Sequence, residues 1–144
     1  KENFFFDYVL LLEPTSPLRE TKDIDCGLEK LDASRNIADS IVGVSKIEAT
    51  HPVFDVRIDS SGLISPYLEG GFETFRRQDI EPLYYKEGSV YISKTDVLLK
   101  EKSFYHKKTL PYVFSSMKSI EIDNMFDFLY AEIILNNPDL IEEN

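Results

Sequence analysis

Two groups of residues combine types and spacings suited to chemistry. The first is Glu121 and Asp123, in the run Ser119-Ile120-Glu121-Ile122-Asp123. Alternate residues of an extended chain share a face, so both acids point one way and Ile120 and Ile122 the other. Such a pair can share a hard cation, because Mg²⁺ commonly takes one or two carboxylates and completes its shell with water and phosphate oxygens. The competing reading is a solvated strand face. The second group is Glu13, Thr15, Ser16 and Arg19, on a corner punctuated by Pro14 and Pro17. Ligands of open α/β sheets bind beyond the carboxyl ends of strands, and this corner stands at such an end. Here the competing reading is a rigid turn whose hydroxyls satisfy backbone groups.

The elements that must position these groups follow from pattern. Phe4 to Leu12 is almost continuously apolar, broken by Asp7, as expected of a strand buried on both faces in a parallel sheet. Proline cannot donate to a ladder, so this strand should stop at Glu13 or Pro14. Thr21 is expected to cap a helix with Asp23 and Asp25 in its first turns, and Ile24, Leu28 and Leu31 recur at the spacing that faces a sheet. Cys26 is expected to pack within that helix. With a strand over Ser40 to Ser45 the order is strand, helix, strand, a right-handed βαβ unit.

From Thr50 to Lys86 the texture changes. Phe54, Val56 and Ile58 alternate with Asp55 and Arg57, and Asp59-Ser60-Ser61-Gly62 reads as a turn, so a hairpin is expected. Phe54, Tyr67, Phe72 and Phe75 make this stretch too aromatic for disorder. Gly88 to Ser93 and Leu110 to Ser115 read as strands, with a short helix capped by Thr95 between them. Asn124 is expected to cap a last helix with Asp127 three residues on, buried along Phe126, Leu129 and Ile133 and stopped at Asn136-Asn137-Pro138. His51 and His106 read as turn or surface residues.

Composition narrows the function classes. At 144 residues, 42% hydrophobic and 29% charged, the chain has one domain's worth of ordinary globular sequence. A net charge of −10 argues against nucleic acid, whose binders need a basic face. The apolar runs are far below membrane-spanning length. Lys1-Glu2-Asn3 leads straight into strand-like sequence, so no secretory leader is expected. One cysteine permits no internal disulfide, which suits a reducing, cytoplasmic setting.

Four motifs, taken in order, resemble those of the acylneuraminate cytidylyltransferase family, enzymes that couple a nine-carbon 2-keto sugar acid to CMP. Leu11 to Arg19 resembles the family's Leu-Leu-Gln-Pro-Thr-Ser-Pro-Leu-Arg, with Glu13 in place of Gln. Arg76-Arg77-Gln78-Asp79 matches Arg-Arg-Gln-Asp. Glu87 to Ile92 resembles Asn-Gly-Ala-Ile-Tyr-Ile, with Glu87 in place of Asn. Ser119 to Asp123 resembles Ser-Ile-Asp-Ile-Asp, with Glu121 one methylene longer than the usual Asp. The spacings agree over nearly the whole chain.

The resemblance implies an α/β, Rossmann-like nucleotidyltransferase sheet with helices on both faces and a β-rich dimerisation extension at about 50–86. It implies displacement at the α-phosphorus of CTP by the sugar's anomeric hydroxyl, with release of pyrophosphate. Glu121 and Asp123 would hold Mg²⁺, and Arg77 would pair with substrate carboxylate or phosphate through its planar fork. Glu13, Thr15, Ser16, Arg19, Gln78, Glu87, Tyr91, Phe104 and Tyr105 would border the substrates. Since both substrates are anions, Mg²⁺ with Arg19, Arg76, Arg77 and Lys86 must reverse the repulsive field of the chain.

Glu13, Glu87 and Tyr85 (where some members place arginine) together favour a modified nonulosonic acid, legionaminate- or pseudaminate-like, over N-acetylneuraminate. The family's Gly-, Arg- and Lys-bearing phosphate loop has no counterpart around the six glycines. The resemblance thus implies the carboxyl-terminal portion of a longer dimeric enzyme, with its N-terminal strands missing, a sheet edge exposed and no turnover of CTP by these residues alone. The competing classes are a 3-deoxy-octulosonate cytidylyltransferase and a non-catalytic dimerisation or sugar-binding module on the same fold.

Overall fold

The computed structural model describes residues 5–48, 50–71 and 76–139; Phe4, Phe72, Phe75 and the side chain of Arg77 lie outside the described residues. The chain divides into two compact units, one formed by Lys1–Ser45 with Lys86–Asn144 and the other by Lys46–Tyr85.

The first unit is α/β. Strands β1 (Tyr8–Leu11), β2 (Ser40–Lys46), β5 (Tyr84–Lys94) and β6 (Thr109–Phe114) form a sheet in the order β1-β5-β2-β6. The sheet is mixed: β2 and β6 run parallel, Ser40 opposite Thr109, whereas β1 runs antiparallel to β5, Tyr8 opposite Lys94. Helix α1 (Thr21–Ala33) brings Ile24, Leu28 and Leu31 to the sheet, where Leu31 joins Ala38, Ile41, Val90, Ile92 and Phe114 in the core. Helix α2 (Thr95–Glu101) links β5 to β6, and α3 (Met125–Asn136) follows the acidic run. Among the described residues no helix is long and apolar enough to cross a membrane.

Several expectations are corrected. β1 is not a doubly buried parallel strand; it lies at the sheet edge, antiparallel to β5, with Leu10 and Leu11 exposed. An apolar run reports affinity for a core but not strand direction or neighbours. β5 stands between β1 and β2 in the sheet. The β1 ladder ends at Leu11, with one further long bond from the Glu13 amide to the Gly88 carbonyl at 3.4 Å.

Glu20, not Thr21, caps α1; its amide donates to Asp23 Oδ2 at 2.9 Å, and Thr21 is the first helical residue. Likewise Lys94 precedes α2 and Thr95 opens it. Cys26 is exposed, because it falls off the stripe set by Ile24, Leu28 and Leu31. In α3 the cap is as expected, Asn124 Oδ1 accepting from the Phe126 and Asp127 amides, but the buried residues are Ala131 and Ile134. Phe126 is 85% exposed, and Leu129 and Ile133 are exposed as well. α3 is apolar nearly all round, so its pattern selects no face.

In the second unit the expected hairpin forms, β3 (Val56–Ile58) pairing antiparallel with β4 (Ile64–Pro66). Asp59 Oδ1 accepts from the Ser61 and Leu63 amides and from Ser61 Oγ, and Gly62 closes the turn at φ 83°. His51 has a turn role: its Nδ1 accepts from the Val53 amide at the head of the 3₁₀ turn Pro52–Phe54. Gln78 lies in a second 3₁₀ turn, Arg77–Asp79.

Candidate active site

The acidic run is not a strand. Residues 119–122 are irregular, and they reach the Thr15 corner through one main-chain bond, the Ile122 amide donating to the Thr15 carbonyl at 2.8 Å. The two groups singled out from the sequence therefore meet, although 107 positions apart on the numbering of those two residues.

β5 supplies the floor. A Cβ on Gly88 would lie 2.6 Å from Glu13 Oε2 and 2.7 Å from Glu121 Oε1, so glycine leaves the room into which both carboxylates fold. Glu87, beside it, is 1% exposed. Its Oε2 accepts from the Ser89 amide at 3.1 Å, while Oε1 lies against Gly43 of β2, where any Cβ would collide with it, and has no hydrogen-bond partner among the described residues. Burial pushes the Glu87 carboxyl above its ordinary range against the pull of Ser89; the charge of Glu121 raises it further and Arg19 opposes.

Arg19 braces the corner. Its Nη1 donates to the Ser89 carbonyl at 2.7 Å and to the Glu13 carbonyl at 3.2 Å, tying the Pro14–Pro17 turn to β5. Ser16 is buried, and its Oγ has no hydrogen-bond partner among the described residues; Thr15 is exposed. Tyr91 continues β5, its ring 5.7 Å from Phe104 and 5.8 Å from Tyr105, and Lys86 Nζ lies 4.4 Å from the Tyr105 ring centre. Burial first, then Tyr105 and Glu13, push the Tyr91 hydroxyl far above its usual range, so it remains an O–H donor.

The structure thus brings Glu13, Thr15, Ser16, Arg19, Glu87, Tyr91, Phe104, Tyr105 and Glu121 to one end of the first unit. Asp123 is exposed at the head of α3, its amide donating to Asp127 Oδ2 at 3.0 Å. Gln78 belongs to the second unit. A cavity of about 620 Å³ lined by Phe6, Tyr8, Asp32, Arg35 and Lys94 includes none of these residues.

Among the described residues no three Asp, Glu, His or Cys side chains form a ready-made metal cage. Mg²⁺ needs none: it is held by one or two carboxylates together with substrate oxygens. Glu121, crowded beside Glu13 above Gly88, is a hard oxygen donor of the right kind, so the residues present fit the ion.

Sequence reasoning missed Ser89, Gly43 and Lys118. Ser89 acts through its main chain, and Gly43 through the absence of a side chain, so neither leaves a residue-type signal. Lys118 Nζ donates to Asp23 Oδ2 and Glu20 Oε2, both at 2.7 Å, and is only 8% exposed. A lysine at that position reads as surface until the fold is known.

Comparison with known proteins finds relatives along nearly the whole chain. The chain is 32% identical over 135 residues to an N-acylneuraminate cytidylyltransferase of Streptococcus agalactiae, covering 90% of this chain and 32% of that protein. It is 35% identical over 133 residues to a CMP-N,N'-diacetyllegionaminic acid synthase of Legionella pneumophila, covering 91% of this chain and 55% of the relative. A post-translational flagellin modification protein B of Campylobacter coli is 26% identical over 94% of the chain. No family model matches. The chain spans about a third to a half of the length of these curated relatives, and over nine-tenths of its own length it is a homologue of cytidylyltransferases and CMP-sugar synthases.

Proposed function

We propose that this chain forms the sugar-facing part of a cytoplasmic cytidylyltransferase that transfers CMP from CTP to a nonulosonic acid, releasing pyrophosphate. The observation that carries the reading is the Ile122–Thr15 bond, which seats Glu121 beside Glu13 on the floor of Gly88. Glu121 would hold Mg²⁺, with Asp123 assigned beside it by its place in the Ser119–Asp123 motif; the ion when bound neutralises phosphate charge and acts as a Lewis acid. Transfer of this kind rests on positioning and charge neutralisation more than on covalent help from the protein. Tyr91, Phe104 and Tyr105 form the apolar wall against which the sugar would lie, and the Tyr91 hydroxyl remains protonated to donate toward it. Arg77 is assigned the substrate oxyanion by its place in the Arg-Arg-Gln-Asp motif.

Glu13 and Glu87 bear on which sugar is taken. A carboxylate in an anion's site is tolerable where it meets an O–H or N–H donor. An N,N'-diacetylated nonulosonic acid offers one more amide N–H than N-acetylneuraminate, so we assign a diacetylated, legionaminate- or pseudaminate-like substrate. We also assign the second unit to homodimerisation. Its hairpin leaves Ile58 73% and Leu63 67% exposed, and clustered apolar surface of this kind marks interaction sites.

Pyrophosphate release by the intact protein, with CTP, Mg²⁺ and a panel of sugar acids, tests the reading. The expected result is highest kcat/KM with a diacetylated nonulosonic acid and a loss of a hundredfold or more in Glu121→Ala and Asp123→Ala, about what an electrostatic group aimed at the transition state supplies. Highest activity with plain N-acetylneuraminate overturns the sugar assignment. Unchanged rates in both alanine variants overturn the site.

A further inference from the structure

Among the described residues Lys118 is the only buried lysine, and its partners belong to another part of the chain. Glu20 and Asp23 form the head of α1, immediately after the Thr15–Arg19 corner. Asp23 accepts not only from Lys118 but also from the Glu20 amide at 2.9 Å and, through Oδ1, from the Tyr112 hydroxyl at 3.2 Å. The ammonium is therefore seated among groups that are themselves held in place. On its own segment the Lys118 amide donates to the Ser115 carbonyl at 3.0 Å, and Ser119 Oγ to the Ser116 carbonyl at 3.1 Å, so a turn leads from β6 into the acidic run. Four residues after Lys118, Ile122 docks on Thr15. Glu121 is thus suspended between two anchors, one ionic and one main-chain, both fixed to the α1 side of the corner.

We propose that Lys118 is a positioning residue: its ion pairs with buried Asp23 and with the more exposed Glu20 set where Glu121 stands against Glu13, and so set the affinity of the site for a divalent cation. The inference rests on the cation-dependent reaction proposed above. Its physical basis is that the partners of a removed buried charge are left uncompensated, a strongly unfavourable state. Without Lys118 the segment loses its ionic anchor nearer β6, and the Ile122–Thr15 bond holds Glu121 with less support. Positions that orient a metal ligand without touching the metal typically alter its affinity by roughly 10–100-fold.

The test uses Lys118→Met, Lys118→Arg and Glu20→Gln, the last removing one arm of the pair at its more exposed end. Amide hydrogen exchange is followed at Ile122, with buried Ile41 of β2 as the internal reference. Mn²⁺, as a paramagnetic substitute for Mg²⁺, is titrated by electron paramagnetic resonance. Lys118→Met is expected to speed Ile122 exchange at least tenfold relative to Ile41 and to weaken Mn²⁺ binding roughly tenfold. Lys118→Arg should recover most of both effects, and Glu20→Gln should show smaller shifts in the same direction. Should Lys118→Met not fold, Glu20→Gln and Lys118→Arg carry the same comparison. Ile122 protection and Mn²⁺ affinity that both stay at wild-type values in the folded variants overturn the proposal. Absence of Mn²⁺ binding to the wild type overturns the cation-dependent reaction instead, and Ile122 exchange still decides whether Lys118 anchors the segment.

Discussion

Gly43 is where the packing beneath the site can be tested with one methyl group. A Cβ there would collide with Glu87 Oε1 and lie 2.7 Å from its carboxyl carbon and 3.2 Å from its main-chain oxygen. Glu87 cannot swing aside cheaply, since it is buried and its other oxygen is held by the Ser89 amide. Overpacking of this kind costs about 1–3 kcal/mol. Against it stands a gain of about 0.5–1 kcal/mol for replacing glycine by alanine within a strand. The clash wins, and Gly43→Ala should destabilise by about 1–2 kcal/mol, a fall in Tm of about 3–8 °C for a chain of this size. In a Glu87→Ala background the side-chain obstacle is gone, leaving the 3.2 Å approach to the residue 87 main-chain oxygen against the strand preference. There Gly43→Ala should be neutral or stabilising, giving a coupling of about 1–3 kcal/mol between the two sites. Urea denaturation of the four proteins with matched m-values measures it. Equal costs of Gly43→Ala in both backgrounds would refute the placement of Glu87 over Gly43.

Other outcomes follow from the same geometry. Asp39 is held below the usual carboxylate range by the hydrogen bond from Lys94 at 2.7 Å, which outweighs its partial burial, with Lys108 and His106 adding to the effect. A depressed folded-state pKa contributes stability above the unfolded value of about 3.9 that is lost as pH falls through the folded one. Asp39→Asn should therefore lower stability near pH 7 by up to about 1 kcal/mol and flatten the acid limb below about pH 4 in thermal melts. Tyr91→Phe keeps the ring contacts with Phe104 and Tyr105 but removes the hydroxyl. Calorimetry should show affinity for the proposed sugar acid reduced about five- to tenfold, the worth of one hydrogen bond of about 1 kcal/mol, and reduced further in Tyr91→Ala. Ile58→Asp at the hairpin should convert the proposed dimer to monomer in sedimentation velocity without lowering the helical signal.

Local signals in the chain were read correctly where the cause is local. The Asp59–Gly62 turn, the Asn124 cap and the α1 stripe of Ile24, Leu28 and Leu31 each depend on neighbours within a few positions, and each stands as expected. The pairing of the Glu13–Arg19 corner with Glu121 came from the family resemblance and not from local pattern. Cap identity at α1 was displaced by one residue, because the Glu20 amide and Asp23 close the capping box one position before Thr21. The side of α3 that is buried, and the direction of β1, depended on which element lies alongside, and no periodicity carries that information.

Sequence alone, then, determined the chemistry available here: which carboxylates, aromatics and hydroxyls the chain owns, and which turns and helices hold them. Tertiary structure alone decided which of those groups meet. The Ile122–Thr15 bond, the crowding of Glu13 and Glu121 over Gly88, and the seating of Lys118 between Glu20 and Asp23 all join residues remote in the chain. The reason is physical: a main-chain amide, a missing side chain and a buried ammonium gain their roles from what is packed against them.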